Sequence, residues 1–150
     1  MIKINKKVEY ALIALKYIAS QKSQSGEEKL VSAREICDRF KTPFDTTAKV
    51  LQIMNNNGIL NSTKGIKGGY SLSQSLGNIT FSQLNRMIEQ KESTQKFCAS
   101  SKGMCDLYSI CNIVTPLEAL NNKINHYLEK LTLEDLLMEN EHFVPQTENA

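Results

Sequence analysis

The chain has 150 residues, of which 41% are hydrophobic and 23% charged, and its formal net charge is +2. This length suits one domain with its own core, and this composition is typical of a soluble globular protein. Glu9 and Lys16 interrupt the apolar residues near the N-terminus, which excludes the uniform run of a signal peptide or membrane span. We therefore expect a cytoplasmic protein with no membrane partner.

Charge is divided unevenly along the chain. Residues 1–70 hold twelve Lys and Arg against six Asp and Glu, a balance of +6. Residues 71–150 hold six against ten, a balance of −4. If the protein meets a polyanion, this division places the contact in the first half.

Two helices are predicted before residue 41. Apolar residues recur at three- and four-residue spacing from Val8 to Ala19, which is typical of an amphipathic helix. After a polar connection, Ser32 lies three residues before Glu35, the spacing of a capping box, and opens a short second helix. The predicted inner face of that helix comprises Val31, Ile36, Cys37 and Phe40.

A third helix is predicted from the Thr42–Pro43 pair. Thr is a favoured N-cap, and Pro is tolerated at the first helical position because its missing N–H would be unpaired there. The helix extends to Asn57, and Gly58 provides its C-terminal stop. Two short helices joined by so few residues form a helix-turn-helix.

A β-hairpin is predicted directly after this motif. Extended residues 59–63 and 70–72 flank the turn Lys-Gly-Ile-Lys-Gly-Gly. We therefore predict a mainly α fold with a small β-hairpin wing, that is, a winged helix-turn-helix, with a long helix after it.

The second half begins with a helix predicted from Phe81 to Gln90. From Pro116 onward, apolar residues three and four apart form a heptad-like seam, which suits pairing across a dimer or packing within one subunit. Its members are Leu117, Leu120, Ile124, Tyr127 and Leu131. A last helix is predicted over residues 133–140. We divide the chain into a DNA-binding region (1–80), a cysteine loop with dimerisation helices (81–142) and a flexible tail (143–150), all within one integrated domain.

The predicted DNA-reading side chains lie at the start of the third helix and at the wing tip. In a helix-turn-helix the second helix enters the major groove, where Thr, Asp and Lys side chains suit base edges and phosphates. A lysine on a narrow hairpin suits the minor groove, whose width varies with sequence. A solvated, solubilising face is the alternative for these residues. The predicted contacts are Lys3, Phe44, Asp45, Thr46, Thr47, Lys49, Lys64, Lys67 and Gly68.

Three of the four cysteines, Cys98, Cys105 and Cys111, fall within fourteen residues. A cytoplasmic protein keeps its thiols reduced, so this group indicates metal binding rather than disulfides. Cys37 falls on the inner face of its helix and is predicted to be a core thiol.

These motifs together resemble one family. The Asn-Gly-Ile-Leu run leading into the wing, the Lys-Gly-Ile-Lys-Gly-Gly-Tyr turn and the cysteine trio are similar to those of the bacterial regulators IscR, NsrR and RirA, the Rrf2 type. The resemblance covers residues 2–131. It implies a homodimer that binds inverted-repeat double-stranded DNA and holds an iron-sulfur cluster, [2Fe-2S] or [4Fe-4S], near the dimer interface.

The resemblance also implies the ligands of that cluster. The family's three loop cysteines match Cys98, Cys105 and Cys111. The histidine that the IscR branch carries three residues after the last cysteine is replaced here by Val114. The NsrR-like branch takes its fourth ligand from the first helix of the partner subunit, where the matching residue is Glu9.

The sequence therefore predicts a transcriptional repressor whose cluster senses iron, nitric oxide or redox state. A rival within the family is a clusterless or zinc-binding regulator, for example of cysteine metabolism. A pure protein-interaction module is a third hypothesis. An enzyme is not expected, because no histidine stands near the cysteine trio, no glycine-rich phosphate loop follows a strand and no paired acids mark a pocket.

Overall fold

The computed structural model describes residues 4–21, 26–90 and 105–138, and within these ranges the chain is mainly helical. The helices are α1 (Lys6–Ser20), α2 (Ala33–Phe40), α3 (Phe44–Asn56), α4 (Phe81–Glu89), α5 (Val114–Lys130) and α6 (Leu133–Met138). Strands β1 (Leu60–Thr63) and β2 (Gly69–Leu72) lie between α3 and α4, and a 3-10 turn (Leu76–Asn78) follows them. The predicted mainly α class with one small hairpin is confirmed.

Helix α1 packs against α2, α3, α4, α6 and β2 and so lies at the centre of the core. It begins where the Asn5 side chain accepts a hydrogen bond from the Lys7 amide at 2.9 Å. Four of the predicted apolar positions, Val8, Ala11, Leu15 and Ile18, are buried, whereas Leu12 and Ala19 are half-buried. Ala14 and Tyr17, which the spacing did not select, complete the buried face.

Helix α2 begins at the predicted N-cap, and the Ser32 half of the predicted capping box is present: the Ser32 hydroxyl accepts a hydrogen bond from the Glu35 amide at 3.1 Å. The Glu35 carboxylate accepts a hydrogen bond from the Tyr17 hydroxyl at 2.7 Å. This bond joins α2 to α1. Phe40, expected on the inner face, is 40% exposed at the end of the helix.

Helix α3 begins one residue later than predicted. Its N-cap is Pro43, which makes no side-chain capping bond, and not Thr42. Thr42 is buried, and its hydroxyl accepts a hydrogen bond from the Thr47 hydroxyl at 2.9 Å. Because Thr42 lies in the core, its hydroxyl does not cap the helix. Gly58, with φ of 75°, follows the helix end as expected.

The wing is an antiparallel hairpin in which Leu60 pairs with Leu72 and Thr63 with Gly69. Val31, just before α2, also pairs with this hairpin, through two backbone hydrogen bonds to Tyr70 of 3.0 and 2.8 Å. A Cβ atom at Gly69 would lie 2.7 Å from the Val31 carbonyl oxygen, so this close approach requires glycine. The hairpin is thereby fixed to the helix-turn-helix.

The C-terminal helices return to the same core. Thr80 and Gln83 form a capping box at the start of α4. Helix α5 begins at Val114 rather than at Pro116, which occupies the first turn, where amides have no intrahelical partner. The backbone near Thr132 pairs with Thr80, and buried residues of α4 and α6 join those of α1 in one apolar cluster. Residues 139–140 of the predicted last helix and the tail lie outside the described residues.

Candidate nucleic-acid interface

The solvent-facing side of α3 carries most of the predicted base-reading residues. Phe44, Asp45 and Lys49 are exposed, and Thr46 is half-buried. The same face continues along the helix through Gln52 and the exposed Asn56, which the sequence analysis did not select. The spacing of four, three and four residues from Asp45 could have identified them, because it is the spacing of one helical face.

Thr47 is a correction to the predicted contacts. Its side chain is fully buried, and its hydroxyl donates to Thr42 inside the core. A side chain in that position faces the protein and not a DNA groove. Thr47 therefore supports the helix that carries the contacts, and the reading face begins with its neighbours.

Arg34 is a basic residue at this surface that the sequence analysis did not select. It is exposed on α2, and its guanidinium carbon lies 5.3 Å from the centroid of the Phe44 ring, within the range of a cation–π contact. This contact brings a positive charge from α2 to the first residue of α3. No local sequence pattern predicts the Arg34–Phe44 contact, because the two residues belong to different helices on either side of a turn.

A cleft of about 880 Å³ separates α3 from the wing. Its walls carry mainly short polar side chains, lysines and glycines, together with two alanines and Tyr70. Its lining includes Asp45, Lys49, Gln52, Asn55, Asn56, Ser62, Thr63, Lys64, Gly68 and Tyr70. An open groove of this chemistry suits a phosphate backbone, which needs donors and positive charge rather than an apolar enclosure.

The tip of the wing is a tight turn with exposed lysines. The Gly68 amide donates a hydrogen bond of 3.0 Å to the Gly65 carbonyl, and Lys64 and Lys67 extend into solvent on either side. A Cβ atom at Gly68 would collide with the Thr63 carbonyl oxygen. The structure therefore brings Lys64, Lys67 and Gly68 together at one edge. Lys3, the remaining predicted contact, lies outside the described residues.

A second groove, of about 360 Å³, joins the reading face to the end of α4. Lys7 of α1 and the pair Asp45 and Lys49 of α3 line one side. Glu89 and Gln90 line the other, and Gln90 is the last described residue before the segment that carries Cys98. Helix α3 and the end of α4 thus share one groove.

The predicted metal ligands are only partly within the described residues. Cys105 is exposed and Cys111 half-buried in the turns that precede α5, whereas Cys37 is buried. Accessible thiols suit a soft metal or cluster, which binds thiolates. Cys98 lies outside the described residues, and the described ranges contain no group of three metal-ligating side chains.

Glu9 lies in the first turn of α1, where its carboxylate accepts a 2.7 Å hydrogen bond from the Lys6 ammonium. This bond and the charge of Glu9 raise the pKa of Lys6. Both side chains are solvent-exposed. Glu9 is therefore accessible to a neighbouring molecule, but any ligand role requires exchange with Lys6.

Comparison with known proteins identifies the family. The family described as "Rrf2: Iron-dependent Transcriptional regulator" matches residues 4–139. A putative HTH-type transcriptional regulator of Aquifex aeolicus is 30% identical over 143 residues, which cover 92% of this chain and 94% of the relative. The chain belongs to the Rrf2 family.

Other members of the Rrf2 family match over similar lengths. The HTH-type transcriptional regulator NsrR of Bacillus licheniformis is 24% identical over 94% of this chain and 96% of its own. Among solved structures, CymR, the global cysteine regulator of B. subtilis, has a TM-score of 0.67 at 20% identity, with 94% and 100% coverage. The IscR of T. potens has a TM-score of 0.63 at 21% identity, with 93% and 89% coverage.

Membership of the Rrf2 family establishes the functional class. The family and the named relatives are transcriptional regulators, which confirms a DNA-binding regulator and excludes the enzyme hypothesis. The similarity of the solved structures confirms the winged-helix fold. Across the described parts of the chain, no helix is both long and apolar enough to cross a membrane.

Proposed function

We propose that this Rrf2-family protein is a cytoplasmic homodimeric repressor that binds an inverted-repeat operator and responds to the state of an iron-sulfur cluster. The observation that carries the DNA-binding part is the polar and basic cleft between α3 and the wing. Helix α3 would enter the major groove and the wing would follow the adjacent backbone. Asp45 and Lys49 supply one acceptor and one cation toward base edges.

The homodimer is supported by an exposed apolar stripe along α5. Ile113, Leu120 and Tyr127 recur every seven residues and are 52%, 45% and 64% exposed. The alternate seam positions Leu117, Ile124 and Leu131 are half-buried. A stripe with this repeat is typical of helices that pair along their length. A second copy of α5 would cover it and place two reading helices on one face of the duplex.

The cluster is supported by the donor chemistry of the cysteine segment. Cys98, Cys105 and Cys111 would supply three thiolates, and Glu9 of the partner subunit the fourth ligand. A bound [2Fe-2S] or [4Fe-4S] cluster supplies reactivity toward nitric oxide, oxidants and iron scarcity. The chain's own part is to hold these donors near α5 and to release Glu9 from Lys6.

The groove at the end of α4 offers a route from the cysteine segment to DNA. Ile88 is buried and Val50 of α3 is buried across the same groove, which Glu89 and Lys49 also line. A change in the cysteine segment that moved the end of α4 would therefore act on the helix that bears Lys49. We assign the coupling of signal to DNA affinity to this groove.

A clusterless or zinc-binding regulator is the second candidate. The exposure of Cys105 favours it, because oxidation or metal exchange at a thiol requires access to the sulfur. This candidate keeps the same DNA surface and dimer and differs only in what the cysteines bind.

One experiment separates the candidates. The full chain is purified without oxygen and analysed for iron, sulfide, zinc and visible absorbance, and its binding to duplexes selected from random DNA is measured before and after exposure to nitric oxide. We expect iron and sulfide in the wild type, their loss in Cys105→Ala, and their retention in the matched variant Cys37→Ala. Zinc or metal-free protein with normal DNA binding would establish the second candidate, and failure to select any duplex would refute DNA recognition altogether.

A further inference from the structure

The wing tip carries one large apolar side chain that is fully exposed to solvent. Ile66 has a relative exposure of 107%, more than any other large hydrophobic residue that the structure describes. Single exposed apolar residues are common on protein surfaces and by themselves indicate nothing. The position of Ile66 distinguishes it, because it lies at the tip of the hairpin between Lys64 and Lys67.

The tip presents a small, fixed set of side chains. The last paired residues of the hairpin are Thr63 and Gly69, so five residues form the loop. Two of these, Gly65 and Gly68, have no side chain and close the turn through their hydrogen bond. Only Lys64, Ile66 and Lys67 therefore project beyond the strands.

This set fits a DNA minor groove. The groove is only about 6 Å wide, so a two-stranded ribbon is excluded and only side chains at its tip enter. Two lysines are attracted by the negative potential of the groove, and they flank an apolar group that would meet its floor. Proteins that bind this groove frequently use apolar side chains there.

We infer that Ile66 contacts the floor of the minor groove and selects against G·C pairs at the step it covers. The inference rests on the proposed DNA-binding function and deepens it. Guanine alone presents an amino donor in the minor groove. An isoleucine side chain accepts no hydrogen bond, so it would remove that amino group from water without a partner, a cost that A·T pairs do not incur.

Base analogues test this contact directly. A duplex is first selected from random DNA by the full-length wild-type protein, and each A·T pair is then replaced in turn by G·C and by inosine·C. Inosine keeps the major-groove pattern of guanine but lacks the minor-groove amino group. At the position under the wing we expect G·C to weaken binding by at least about fivefold, and inosine·C to restore it to within about twofold of A·T.

Variants assign the effect to Ile66. We expect Ile66→Ala to bind the G·C and inosine·C duplexes within about twofold of each other, and Ile66→Val, which keeps a branched apolar group, to retain the discrimination. An uncharged side chain displaces no counterions from DNA, so Ile66→Ala should leave the salt dependence of binding unchanged. Lys67→Ala should instead lower the slope of log K against log salt by about 0.9 and keep the inosine effect. Thermal unfolding of Ile66→Ala should match that of the wild type.

Two results would overturn the inference. The first is a wild-type protein that binds its selected duplex specifically but shows no pair at which inosine·C restores affinity lost with G·C. The second is an Ile66→Ala variant with undiminished discrimination. In both cases specific DNA binding remains, so the proposed function survives; absence of any selected duplex would instead remove that function.

Discussion

The guanidinium of Arg34 stacks over the ring of Phe44, with 5.3 Å between the guanidinium carbon and the ring centroid. Phe44 is the first residue of α3 and is 46% exposed, whereas Arg34 comes from α2. The contact therefore holds a cation from the first helix of the motif beside the N-terminus of the second. Such exposed contacts are worth about 0.5–1 kcal/mol.

Replacement of Phe44 by Ala is expected to weaken specific DNA binding by about three- to tenfold, because Arg34 loses its support and the ring leaves the interface. Affinity is measured by fluorescence anisotropy with the selected duplex. Phe40→Ala is the matched control, since Phe40 is similarly exposed but contacts Tyr17 and Arg39 rather than Arg34. Equal losses in both variants would contradict a specific role for Phe44.

Replacement of Thr47 by Val is expected to lower the free energy of unfolding by about 1–2 kcal/mol, because Thr42 loses its buried hydrogen-bond partner. Urea denaturation measures the loss. The double variant Thr42→Val, Thr47→Val should recover part of it, since neither hydroxyl is then left alone. DNA affinity and sequence preference should stay at wild-type values; an altered base preference would restore Thr47 to the reading face.

The Tyr17–Glu35 bond predicts a stability change at alkaline pH. The hydrogen bond to Glu35, with burial and the Glu35 charge, raises the pKa of Tyr17 above its ordinary value of 10.0. The folded state therefore holds the phenol proton more tightly than the unfolded state does. The contribution of the Tyr17–Glu35 bond to the free energy of unfolding is complete below about pH 10 and is lost as the pH rises through the folded-state pKa. Tyr17→Phe should cost about 1 kcal/mol at pH 8.

The pH series supplies the control for that variant. Urea midpoints are measured from pH 8 to pH 11 for the wild type and for Tyr17→Phe. The gap between the two proteins should shrink as the pH increases, because only the wild type loses the bond. A constant gap would show that Tyr17 contributes through packing alone.

Replacement of Tyr127 by Glu is expected to convert the proposed dimer into monomers, because a charge would be buried in the α5 stripe. Molar mass is measured by light scattering across a concentration series. His126→Glu places the same charge on the adjacent exposed position, outside the stripe, and should remain dimeric. A dimeric Tyr127→Glu variant would move the subunit interface away from α5.

Local patterns predicted the elements well and the contacts between them poorly. Neighbouring residues determine three of the predicted features, and each is present at the expected place: the amphipathic helix α1, the Ser32 N-cap and the glycine-rich hairpin. Thr42 was assigned to a cap because Thr before Pro favours one, but its hydroxyl is paired in the core. Burial is set by tertiary packing, which propensity does not encode.

The set of DNA-contacting residues predicted from the sequence was also incomplete, for a physical reason. Arg34 and Phe44 are ten positions apart and meet because a turn brings their helices together, so no spacing rule selects them. The proposed minor-groove contact of Ile66 was not predicted, because the prediction selected residues that attract a polyanion, and an isoleucine carries no charge. Cys98 lies outside the described residues, so the metal site predicted from the three cysteines stays a prediction.

The backbone pairing of Val31 with Tyr70 fixes the position of the wing relative to the helix-turn-helix within one subunit. Because the hairpin is fastened to the residue that leads into α2, the offset between the groove-reading helix and the wing is constant within a subunit. In the proposed complex with DNA, each operator half-site would therefore have a fixed internal length. In the proposed homodimer only the separation of the two half-sites could change, so a signal that acts at the subunit interface would change the preferred spacer length, counted in base pairs.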